Sequence, residues 1–198
     1  AGDTPATIER DIRIIQRELP VDLLEFFILT PLPGSADHRK LHLEGTRMEE
    51  DLNKYDLVHV NTRHPVMTNE ELLAIYRKAW HIYYSPQHVE TVIRRAKAWG
   101  YDPRNMMAKL LAFSAVPRIE HVHPLEGGVF RRKYRRDRRP HMPRENRVVF
   151  YSRYAMEIIT KHIRFTTMYM RYRWILRRAR RATAADPDVA MMPVQDDE

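Results

Sequence analysis

The 198-residue chain has no cysteine. That excludes disulfides and thiolate ligands, so a metal site built from this chain alone must use His, Asp or Glu. It has six glycines, and no glycine-rich phosphate loop, G-x-S-x-G elbow or HExxH helix occurs among its motifs. No run of 18 apolar residues is present to span a bilayer, and the amino end, Ala1-Gly2-Asp3-Thr4-Pro5, has neither an initiator methionine nor the apolar stretch of a signal peptide. A cytoplasmic location is the resulting expectation. Nothing in these absences leaves a complete catalytic centre, and the catalytic residues are unknown at this stage.

What is present is charge and proline. Charged residues make up 30% of the chain and prolines number 13, the composition of polar helices joined at proline-marked turns. The net charge of +8 is unevenly spread. Residues Arg131 to Arg181 hold 18 basic and 3 acidic side chains, whereas the rest holds 16 and 23. Such asymmetry marks contact with a polyanion, an anionic membrane surface, or an acidic neighbouring domain.

One stretch organises the chain. Leu23 to Leu29 carries a single charge among large apolar side chains, the pattern of a strand covered on both faces, and Thr30-Pro31-Leu32-Pro33-Gly34 then turns the backbone away. No comparable second strand follows. Ahead of it, Ile8, Ile12, Ile15 and Leu19 recur at helical spacing behind a Thr4-Pro5 start. Helix and strand together read as the last half of an α/β unit.

Beyond the turn, Ser35 caps a short helix through Leu43, and Thr46 to Val66 is loop-like with a brief extended piece at Leu57 to Asn61. Thr68 and Glu71 form a capping box for a helix with Leu72, Tyr76, Ala79, Trp80 and Tyr83 inward. Ser85-Pro86 starts another, with Val89, Val92, Ile93, Ala96 and Trp99 inward and Gly100 as its stop. Asp102-Pro103 starts a third, bearing Met107, Leu110, Leu111 and Ser114, which Pro117 ends or kinks. A helix of about 50 Å follows from Val149 to Arg181, then a tail that reads as disordered.

Several clusters are candidates for chemistry. His121 and His123 alternate beside Glu126, so an extended segment would offer a two-His, one-carboxylate metal site; the plainer reading is two loop histidines beside a proline turn. His59 and His64 lie near Asp56 as an acid/base pair. Arg131 to Arg147 has nine Lys or Arg residues in seventeen with Tyr134 among them, suited to phosphates and a stacked base. Tyr151, Ala155, Ile158, Ile159, Ile163, Phe165, Tyr169, Tyr172 and Leu176 among arginines give the long helix the makings of a membrane-surface helix or of a helix docked on the protein.

The run Asp3-Thr4-Pro5-Ala6-Thr7-Ile8, the segment Phe26 to Ser35, and Asn53-Lys54-Tyr55-Asp56 resemble the carboxyl-terminal part of radical S-adenosylmethionine (radical SAM) proteins. The likeness is to the group that often carries an amino-terminal cobalamin-binding domain. His123-Pro124-Leu125-Glu126-Gly127-Gly128 and Arg135-Arg136-Asp137-Arg138-Arg139-Pro140 look like segments of that group's extension. The resemblance implies an α/β fragment: the last αβ unit of a partial (β/α)₆ barrel, or partial TIM barrel, over 1–45, then a helical extension over 46–128, a basic loop and long helix over 129–181, and an acidic tail over 182–198.

In that family a CxxxCxxC motif holds a 4Fe–4S cluster that cleaves S-adenosylmethionine to a 5′-deoxyadenosyl radical. The motif is absent from these residues, so the resemblance implies iron–sulfur, S-adenosylmethionine and cobalamin binding for a larger parent, with this chain inactive alone. It gives Phe27, Ile28, Leu29 and Thr30 an adenine-side role at the end of the last strand. It also makes the remaining barrel and a cobalamin domain, as parts of the same protein or as a partner subunit, the expected neighbours. The alternative expectation is a basic helical module that binds nucleic acid or an anionic membrane through Arg131 to Arg181.

Overall fold

A computed structural model describes residues 2–56, 58–127, 132–138 and 141–181. Six α-helices account for its regular structure: α1 (Pro5–Glu18), α2 (Ala36–Leu43), α3 (Asn69–Tyr83), α4 (Pro86–Ala98), α5 (Pro103–Ile119) and α6 (Arg147–Arg181), with one 3₁₀ turn at Leu52–Lys54.

The helix starts follow local chemistry. Thr4 and Thr7 cap each other's backbone at α1, Ser35 accepts from His38 N–H at α2, and Thr68 and Glu71 close a capping box at α3. Ser85 and Asp102 cap α4 and α5, each followed by proline at the first helical position. Gly100, at φ 77°, ends α4 in the left-handed region that a Cβ disfavours. Pro117 does not end α5, which runs on to Ile119.

α1 packs on α3, while α4, α5 and α6 pack on one another and α3 touches α5. Their inward faces form a single core: Ile12 from α1, Trp80 and Tyr83 from α3, Val89, Val92 and Ile93 from α4, Leu110 and Leu111 from α5, and Tyr172, Ile175 and Leu176 from α6. Ser114 on α5 and Tyr172 on α6 join across it by a 2.6 Å hydrogen bond between hydroxyls.

The expected strand is not there. Among the described residues there is no strand, only an isolated antiparallel bridge between Met48 and Thr62. The chain is therefore all-helical where described, and the reading as an α/β fragment ending a partial (β/α)₆ barrel is corrected. The physical reason is that a strand exists only through a ladder, and no second β-run accompanies this one. Residues 21–32 instead run extended along the helices, held by side chains. Tyr84 Oη accepts from Leu24 N–H and donates to Leu24 O, and Tyr83 Oη donates to Val21 O at 2.7 Å. The expected extended piece at Leu57 to Asn61 amounts to no more than the Met48–Thr62 bridge beside it, Leu57 itself lying outside the described residues, as does the tail from Ala182.

Candidate functional site

From Phe26 to Leu29 the extended segment keeps the two-residue alternation of a strand although it pairs with none. Phe26 turns toward the core, its ring edge-on to Trp80 with centroids 5.2 Å apart, and Ile28 is buried. Phe27, Leu29 and Leu32 turn out, Leu29 being 90% exposed. One face is thus covered by helix and the other is open at Leu29 and Leu32, where the sequence pattern suggests two covered faces. Arg95 of α4, fully buried, anchors the start of the segment: its guanidinium donates to Asp22 Oδ1 at 2.6 Å and to Val21 O at 2.8 Å.

His123 closes the other side. Its ring stacks on Phe27 with centroids 4.7 Å apart and is fully buried. Leu125 N–H donates to Nδ1, which places the proton of the neutral ring on Nε2. Nε2 has no hydrogen-bond partner and lies 4.0 Å from Glu25 Oε2. Burial lowers the His123 pKa, with Glu25 and Glu126 opposing, so the ring is neutral at pH 7.

His121 does not join it. At φ 58° its backbone is kinked into the left-handed region at the end of α5, so the alternation of an extended chain is broken and the His121 side chain stands exposed while His123 is buried. Among the described residues no three His, Cys, Asp or Glu side chains come together to hold a metal ion. The expected two-His, one-carboxylate site is absent there, and so is any ligand set for a 4Fe–4S cluster, since the chain has no cysteine. The metal-binding and iron–sulfur expectations are corrected for this chain, and no chemical step is routed through a cluster.

The four residues given to S-adenosylmethionine divide. Ile28 is buried, Phe27 already stacks on His123, and only Leu29 is freely offered. The Thr30 hydroxyl lies 3.0 Å from Asp56 O and 3.1 Å from Ile28 O, so its proton is taken. Among their side chains no free donor remains, and a contact to adenine from these residues would run through backbone groups or the Thr30 oxygen as acceptor.

Thr30 does bring the next cluster close. Asp56 Oδ2 is 2.6 Å from His59 Nδ1, and Asp56 Oδ1 accepts from Val58 and His59 N–H. Burial pushes the Asp56 carboxyl up, but the backbone and imidazole hydrogen bonds outweigh it and hold it below its ordinary value. This is an oriented acid/base pair with an exposed ring. His64 is not part of it; its Nδ1 accepts from Val66 and Met67 N–H ahead of α3. Nothing in the sequence marks Asn61, whose side-chain amide is buried without a partner.

The basic region folds into a groove between residues 132–138 and the start of α6. Arg132, Arg136, Arg144 and Arg147 line it with Tyr134 and Tyr151. Neighbouring cations are committed elsewhere: Lys133 binds Glu157, and Arg138 and Arg153 share Glu145. The groove thus sets four guanidinium side chains beside two tyrosine rings. Arg131, Arg139 and Pro140 lie outside the described residues.

Among the described residues no helix is long and apolar enough to cross a membrane. Compared with known proteins, the chain matches no family model, no curated protein and no solved structure.

Proposed function

We propose that the chain is the carboxyl-terminal, non-catalytic part of a cytoplasmic radical SAM enzyme, and that it docks on the domain that holds the cofactors. The observation that carries the reading is the segment Leu23 to Leu32. It is apolar and extended, held at Leu24 by Tyr84 and just ahead of it, at Val21 and Asp22, by Tyr83 and Arg95, and it is open on its other side at Leu29 and Leu32. A bare apolar strand-like face with no ladder is a surface that another element covers. The resemblance of Phe26 to Ser35 and of Asn53 to Asp56 to radical SAM proteins names that neighbour. In this reading the cluster and S-adenosylmethionine, with cobalamin where it is used, sit in the neighbouring domain.

The test uses the full reading frame that contains these residues. It should encode a CxxxCxxC motif, and the whole protein, reconstituted with iron and sulfide under reductant, should release 5′-deoxyadenosine from S-adenosylmethionine, whereas residues 1–198 alone should release none. Leu29→Asp in the whole protein should weaken that release without unfolding the helices. A reading frame without the motif, or a reconstituted protein that never cleaves S-adenosylmethionine, ends the proposal.

A second reading, a polyanion-binding module, rests on the groove of Arg132, Arg136, Arg144 and Arg147. It requires single-stranded nucleic acid to bind with an affinity that falls steeply with salt and to be lost in Arg136→Gln/Arg144→Gln. Binding that ignores salt removes it.

A further inference from the structure

α6 has two apolar faces, and only one of them is used. Its inner face puts Phe150, Tyr172, Ile175, Leu176 and Ala179 into the protein, with Phe165, Met168 and Tyr169 half-buried against the core. On the opposite side stand Val148, Met156, Ile159, Ile163, Met170 and Trp174, each more than half exposed. Their spacing of eight, three, four, seven and four residues keeps them within about 80° of arc on a helix of 3.6 residues per turn, over roughly 39 Å of its length. This second stripe differs from the helix face that sequence spacing suggests: Phe165, Tyr169, Tyr172 and Leu176 belong to the inner side.

The charge around the stripe is of one sign. Arg153, Arg164, Arg171, Arg173, Arg177 and Arg178 are all exposed on α6. The helix has a single acidic residue, Glu157, which is occupied by Lys133 and Lys161. Arg178 pairs with Glu90 and lies over the Trp174 ring, 4.9 Å from its centroid, so an aromatic ring and a guanidinium sit together at the edge of the apolar band.

We propose that the outer face of α6 lies along an anionic lipid surface. Three occupants compete for such a face, and charge decides among them. A second copy of the chain would set arginines against arginines. A nucleic acid would satisfy the arginines but leave the Val, Met and Ile stripe against sugar and phosphate. A bilayer surface of acidic phospholipid takes the stripe into the acyl boundary and the arginines among the headgroup phosphates, with Trp174 at the depth that aromatic rings favour. The helix rests in the plane of the surface and does not cross it. The inference uses neither the extended segment nor the groove arginines Arg132, Arg136, Arg144 and Arg147; of the stripe only Val148 also borders that groove.

The experiment takes the full chain and mixes it with vesicles of phosphatidylcholine alone and of phosphatidylcholine with phosphatidylglycerol. The chain should sediment with the acidic vesicles about tenfold more than with the neutral ones, and less as salt is added. Ile159→Ser/Ile163→Ser and Arg164→Gln/Arg171→Gln should each lower that partition by about tenfold while far-UV helicity stays unchanged, because all four side chains are exposed. Lipids brominated on the acyl chain should quench tryptophan emission in the native chain and not in Trp174→Phe. The proposal is overturned by equal partition to both vesicles, by partition that the isoleucine pair does not change, by retention of single-stranded RNA that the isoleucine pair abolishes, or by a concentration-dependent dimer that it dissolves.

Discussion

Arg95 and His88 show how much a single buried polar side chain decides in this molecule. Arg95 lies on α4 between half-buried Arg94 and exposed Lys97, three residues after Val92 and four before Trp99. It is fully buried beneath the extended segment, with Asp22 and Val21 O as partners. Removing one side of such a pair strands the other. Arg95→Met is therefore expected to cost on the order of 3 kcal/mol in urea denaturation, and Arg95→Lys to recover only part of it, because an ammonium cannot reproduce the guanidinium fork. A loss below about 0.5 kcal/mol would show the clamp to be ornamental.

His88, buried against Tyr83, has its pKa pushed down to about 4 by burial first and by the Arg95 charge second. The unfolded chain takes up that proton near pH 6.5 while the folded protein resists it down to about 4. Stability is therefore full above pH 6.5 and declines as the pH falls toward 4, with about 2 kcal/mol lost from this residue between pH 7 and pH 5. His81 and His123, also lowered by burial, act in the same direction. Denaturation midpoints at the two pH values should converge in His88→Gln; an unchanged pH slope in that variant refutes the assignment.

At the scale of elements, the turn after α5 folds back on its own helix. A Cβ on Gly127 would stand 2.1 Å from Val116 Cγ1, so the loop passes where only a hydrogen fits. Gly127→Ala should destabilise by about 1–3 kcal/mol, and adding Val116→Ala should restore most of it in thermal melts. If the second substitution adds to the loss, the contact is not the cause.

The elements that sequence reading found are those whose ends carry their own chemistry. Thr68 with Glu71, Ser85 with Pro86 and Asp102 with Pro103 mark α3, α4 and α5 at the observed positions, and Val89, Val92, Ile93, Leu110 and Leu111 point inward as their spacing requires. The run from Leu23 to Leu29 misled because apolar density reports burial, not pairing. Phe26 and Ile28 are accounted for by the helices, but a ladder depends on another segment that local sequence does not describe. α6 poses a related ambiguity, because apolar side chains on both of its sides define no single inward direction.

For the whole molecule, the site was less legible than the fold. Asp56 and His59 do meet, His64 serves a turn, and His121 and His123 part at a backbone kink that residue spacing does not encode. The strong positive charge of the carboxyl half was legible as a number, yet which arginines face outward together depends on how α6 is rotated on α4 and α5.

The clamp on the extended segment also has a bearing on the order of assembly. Gln16 reaches Ile82 O, Tyr83 reaches Val21 O and Arg95 reaches Asp22, links spanning 66, 62 and 73 positions of chain. Each closes a long loop whose entropy cost is met only once its distant acceptor or donor is already in place. The first thirty-odd residues should therefore be the last to arrive and the first to leave, a latch on a body that α3 to α6 have already built. Native-state hydrogen exchange should show α1 amides opening at lower free energy than those of α4 and α5; equal protection across all of them would mean that the latch and the body fold as one.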